Sequence, residues 1–150
     1  MIQRIQTVFL FIAVVAIGVM FFMPLADFFG DDFYFRLYIN KVSDETVVEV
    51  NTIPLIAISA VMFVLPLVAI FMYKKLWLQM RLVRFAILLN LAMIIMLYFG
   101  YTDVIAKQAS VSVSYQAGVY FPLVSLVFLV LAMRFIVKDD KLLRNAGRLR

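Results

Sequence analysis

The sequence predicts a membrane protein: an all-α, four-helix transmembrane bundle with a small three-stranded extracytoplasmic β-sheet. Three observations predict it. Four apolar runs recur along the chain, the clearest being Ile53 to Tyr73, IPLIAISAVMFVLPLVAIFMY, which carries no charged side chain. At the α-helical rise such a run reaches about 31 Å, the thickness of a bilayer's hydrocarbon core. Basic residues are segregated to alternate connections, and both of the other connections contain stretches with the two-residue period of a strand.

Composition bounds the class. Hydrophobic residues make up 66% of the 150 and charged residues only 15%, against about 45–50% and about 25% in soluble domains. A soluble fold this small has too much exterior to hide so much apolar surface, so lipid is the expected solvent and one membrane domain, 1–150, the expected unit. The net charge of +5 is explained by membrane topology and gives no ground for nucleic-acid binding. The chain has neither cysteine nor histidine. That excludes disulfides, thiolate metal sites and the commonest general base and metal ligand. No catalytic residue, cofactor or metal site is therefore expected, and the chain is read as not an enzyme.

The first apolar run covers about 5–26. It also fits a secretory signal with Pro24-Leu25-Ala26 as the cleavage region, but it exceeds a usual signal core, so an uncleaved first span is expected. Loop 27–52 opens with Asp27, Asp31 and Asp32, an acidic group whose spacing matches no calcium loop. It continues with Phe33, Phe35, Leu37 and Ile39 alternating with polar or amphipathic residues. A turn from Lys41 to Thr46 leads to Val47–Val50, so a hairpin between these two stretches is expected.

The second span is 53–73, with Pro54 in its first turn and Pro66 inside, where a kink or a loosened hydrogen bond is expected. A short connection to Arg81 makes it the antiparallel neighbour of the third span, 82–101. Asn90 lies deep in that span and reads as interhelical hydrogen-bonding glue. In loop 102–116, Val111, Val113 and Tyr115 alternate with serines, giving the third strand that a marginal hairpin needs. The fourth span is 117–137, and the tail 138–150 reads as a separate basic amphipathic helix for anionic lipid or a partner.

Eleven of the fourteen basic residues lie beside the termini and the 74–81 connection, and seven of the nine acidic ones lie in the other two loops. The positive-inside rule then puts both termini in the cytoplasm and both strand-like loops outside. Lys74, Lys75, Arg81, Arg84, Arg134, Lys141, Arg144 and Arg148 are the candidate contacts to lipid headgroups or a partner. Arg84, about one turn inside its span, and Arg134 read as interface anchors. No span carries a mid-membrane carboxylate, which weakens a transport reading. Phe28, Phe29, Tyr34, Phe35, Tyr98 and Tyr115 belong to an outer aromatic belt, with Tyr73 and Trp77 in an inner one.

The start MIQRIQT and the ending KDDKLLRNAGRLR resemble a Bacteroidota family of small four-span proteins of uncharacterised function. The tail of that family reads as a lysine–acidic pair followed by LVRSADRLR. Lys138-Asp139-Asp140, Leu142-Leu143-Arg144 and Arg148-Leu149-Arg150 match, while Asn145 and Gly147 replace its serine and aspartate. The resemblance implies the inner membrane of a Gram-negative bacterium and supplies no activity. The plan is also similar to claudins in layout alone, since their tryptophan–cysteine signature is absent. The expected function is a non-catalytic accessory or scaffold subunit of an inner-membrane complex, with membrane lipids and a larger protein as partners. A lipid- or quinone-binding protein, as a homo-oligomer, is the alternative.

Overall fold

In the computed structural model the described residues are 3–30, 34–42, 51–73, 75–109 and 111–147. Helix α1 (Gln3–Met20) is followed by strands β1 (Ala26–Phe29) and β2 (Tyr34–Leu37), then helices α2 (Ile53–Phe71) and α3 (Leu76–Ile95). A π-helical segment, Met96–Thr102, prolongs α3 into α4 (Asp103–Ala109). Strand β3 (Ser112–Tyr115) and a 3₁₀ turn, Ala117–Val119, lead into α5 (Tyr120–Gly147).

The helices close a ring in which α1 and α3 each pack against both α2 and α5. Each contributes one seam at three- and four-residue spacing, the geometry that keeps a stripe facing a neighbour. On α2 the seam is Leu55, Ser59, Met62, Pro66 and Ala69. On α3 it runs through Met80, Val83, Ala86, Asn90 and Met93, and on α5 through Ser125, Leu129, Ala132 and Ile136. The outward faces stay apolar: Phe11, Val64, Phe85, Leu88 and Val127 are all more than half exposed. A bundle that is greasy on both faces suits hydrocarbon, not water.

Three helical stretches are long and apolar enough to cross a membrane: Ile53–Phe71, Leu76–Lys107 and Ala117–Leu143. The apolar part of α1, Ile5–Met20, is shorter. The first run was expected to stay helical to Ala26 and stops at Met20. Its last amides fold back onto nearer carbonyls, Phe21 N–H onto Gly18 O at 3.3 Å and Phe22 N–H onto Val19 O at 3.0 Å. Pro24 then bars its predecessor from helical geometry. Pro66 does not interrupt α2, and Pro54 occupies the first turn as expected.

The expected three-stranded sheet is present among the described residues, and its central strand, Ala26–Phe29, is one that the sequence did not suggest. The order is β2-β1-β3, all antiparallel, with Phe28 opposite both Phe35 and Val113. Tyr34–Leu37 pairs with Ala26–Phe29; its expected hairpin partner, Val47–Val50, lies outside the described residues together with Phe33. The central strand is buried on both faces at Ala26, Asp27 and Phe28, so it shows no alternation. Phe28 and Phe35, assigned to an aromatic belt by sequence, instead form the sheet's core and stack at 4.8 Å.

Two further boundaries differ. Helix α3 starts at Leu76, six residues before the expected span, and its extension replaces the first half of the second polar loop. Thr102 stabilises that extension by donating its hydroxyl to the carbonyls of Leu97 and Tyr98. Asp103 in the first turn of α4 and Lys107 in its last suit the helix dipole and pair at 2.7 Å. The tail is not a separate helix: α5 continues unbroken from the fourth apolar run to Gly147.

Candidate functional site

At the sheet end, the chain builds one polar cluster around a buried carboxylate. Asp27 sits in the middle of the central strand, its side chain 4% exposed. Directly opposite stands Arg36, whose Nε donates to Oδ1 at 2.7 Å and Nη2 to Oδ2 at 3.3 Å. From the other side Gln116 Nε2 donates to Oδ2 at 2.8 Å. The guanidinium also donates to Tyr34 Oη at 2.6 Å. Asp27 first, and then a side-chain hydrogen bond to Tyr38, raise the Arg36 pKa further, so its charge is permanent. The acidic group read from sequence is thus divided: Asp27 is engaged in the sheet, and Asp31 and Asp32 lie outside the described residues.

The opposite end is assembled by the first turns of α3 and the last turns of α5. The Asn90 Nδ2–Ser125 Oγ hydrogen bond of 3.2 Å fixes the register of these antiparallel helices and bears out the interhelical role read for Asn90. Counting along each helix from that contact brings Trp77, Arg81 and Arg84 beside Val137, Asp140 and Lys141. Together with Met80 they line a groove of about 410 Å³. The Arg81 guanidinium lies over the Trp77 ring, 3.5 Å from its centroid, a cation–π stack four residues apart on one helix. A second groove, of about 490 Å³, lies on the other side of Trp77 and Asp140 and is lined also by Tyr73, Lys75, Leu76, Leu78 and Leu143.

Of the eight candidate basic residues, the structure therefore brings Arg81, Arg84 and Lys141 into one groove and Lys75 into its neighbour. Arg134 is exposed on α5 and lines neither. The side chain of Arg144, and Lys74 and Arg148, lie outside what the structure describes. The shared groove depends on α5 continuing past Val137, which the charges of 138–141 concealed.

Sequence reading missed a buried polar layer at this same end. Gln6, Gln79 and Asp139 close the seams of α1, α3 and α5, and are 0%, 0% and 6% exposed. Their side-chain amide and carboxylate atoms have no hydrogen-bond partner among the described residues. A buried polar group left without a partner costs about 1–3 kcal/mol. The seam period held the signal, since Gln79 precedes Val83, Ala86 and Asn90 at steps of four, three and four. No group of three metal-binding side chains occurs among the described residues.

Packed apolar helices, three of them long and apolar enough to cross a bilayer, with a small sheet at one end and a basic groove at the other, suggest a membrane protein. The chain belongs to the family described as a domain of unknown function, DUF4293, whose model matches residues 2–149. No curated protein and no solved structure matches it.

Proposed function

We propose that the protein is a non-catalytic accessory or scaffold subunit of a larger complex in a bacterial inner membrane. In this reading α1, α2, α3 and α5 cross the bilayer, both termini are cytoplasmic and the sheet stands outside. Charge segregation along the sequence supports that orientation. The observation that carries the scaffold role is the outer edge of β3. The Gln116 N–H···O=C Leu25 bond of 3.0 Å sets the ladder so that Ser112 and Ser114 turn their backbone groups toward β1. Val113 and Tyr115 turn theirs outward, with no strand beyond them among the described residues. An exposed edge of this kind accepts a further strand from a partner.

Purification from the native membrane in mild detergent tests the role. The expected result is a stoichiometric larger protein that stays bound, and that is lost when Val113→Pro blocks the outward amide of β3. A lone monomer in every mild detergent contradicts it. One observation favours the second reading, a lipid- or quinone-binding homo-oligomer. A wholly apolar groove of about 420 Å³ lies between α1 and α2, lined by Gly18, Phe21, Phe22, Ala60, Phe63 and Val64. Quinone or lipid co-purifying at fixed stoichiometry with no second protein supports that reading instead.

A further inference from the structure

We infer that the groove between the start of α3 and the end of α5 is a binding site for the phosphodiester headgroup of an anionic phospholipid. The inference rests on the membrane reading above but not on the presence of a protein partner. Three cations, Arg81, Arg84 and Lys141, line the groove against one carboxylate, Asp140. All three cationic residues are exposed to the medium.

The geometry suits a phosphate. Arg81 uses the face of its guanidinium on the Trp77 ring, at 3.5 Å. Its N–H groups lie in the guanidinium plane, so the stack fixes the group while leaving those donors available to a phosphate oxygen. Arg84 stands one turn further along the same helix, and Lys141 reaches the groove from the neighbouring one. The depth suits a lipid as well. Trp77 is half-exposed with an indole suited to the bilayer interface, and the groove wall beneath the cations is apolar, Met80 and Val137. A free inorganic anion has no use for that wall, whereas an acyl chain does.

Trp77 is the only tryptophan in the chain, so it reports on the groove without labelling. The full-length protein is reconstituted into vesicles of phosphatidylcholine, in which a small fraction of brominated phosphatidylglycerol or brominated phosphatidylcholine quenches the indole. Brominated phosphatidylglycerol is expected to quench at much lower mole fraction than brominated phosphatidylcholine. The Arg84→Gln/Lys141→Gln double variant, which leaves the Arg81–Trp77 stack in place, is expected to weaken phosphatidylglycerol binding about thirtyfold, the combined effect of two cations at an anionic surface. Equal quenching by the two lipids, or a preference unchanged in the double variant, overturns the inference and leaves the membrane reading intact. Absence of quenching by both lipids overturns the membrane reading with it. Relief of the quenching by inorganic phosphate at constant ionic strength assigns the site to a free anion and overturns the lipid assignment.

Discussion

Gly118→Ala is expected to cost about 3 kcal/mol, by breaking the joint between sheet and bundle. Gly118 lies in the 3₁₀ turn that enters α5, and its N–H donates to the Pro24 carbonyl at 2.9 Å. A Cβ added there would run into that same carbonyl oxygen, and would stand 2.9 Å from its carbon and 3.0 Å from the Met23 oxygen. All three atoms are backbone, held by the strand that follows, so no side chain can turn away to make room. The flanking bonds, Gln116 N–H to Leu25 O at 3.0 Å and Leu25 N–H to Leu37 O at 2.8 Å, tie the same crossing into all three strands. Gly100→Ala is the control, since the nearest atom to its new Cβ is a Met96 side-chain carbon at 3.6 Å. Denaturant titration in detergent should find the first variant strongly destabilised and the second within about 1 kcal/mol of the parent. Equal effects at the two glycines contradict the joint.

The second large effect is an asymmetry between the two halves of one ion pair. Asp27→Leu removes a carboxylate and leaves a guanidinium that is 38% exposed, keeps its bond to Tyr34 Oη and can turn to water. The expected loss, mainly the bonds to Arg36 and Gln116, is about 2 kcal/mol. Arg36→Leu removes the exposed partner and strands a carboxylate that is 4% exposed, which is the costlier error because the remaining charge is buried. Thermal unfolding in detergent should therefore rank Arg36→Leu below Asp27→Leu, with the double variant above Arg36→Leu. The reverse ranking means that the pair is not closed in the protein.

The same residues explain what the sequence revealed and what it hid. Asn90 was legible because a lone amide in an apolar run has few roles, and its partner Ser125 lies on a helix that antiparallel packing brings alongside. The third strand was legible because Ser112 and Ser114 alternate with Val113 and Tyr115 at an edge, where one face meets water. The central strand was not, because Asp27 in its middle reads as loop until Arg36 and Gln116 neutralise it, and those partners lie 9 and 89 residues away. The continuity of α5 was hidden for a local reason. Lys138-Asp139-Asp140-Lys141 looks like the end of a span, yet backbone hydrogen bonding needs no apolar side chains, and no glycine or proline follows before Gly147. The basic groove was hidden with it, since it joins the early start of α3 to the extension of α5.

In the proposed topology the sheet and the basic groove lie on opposite sides of one bilayer, with sheet outside and groove inside. The chain has no cysteine, so single substitutions at exposed positions give an unambiguous reading. Ser114→Cys places a thiol on β3, and Asn145→Cys places one near the end of α5. In intact spheroplasts a membrane-impermeant maleimide should label the Ser114→Cys protein at once and the Asn145→Cys protein only after permeabilisation. Labelling of both before permeabilisation, or of the α5 position alone, contradicts the account.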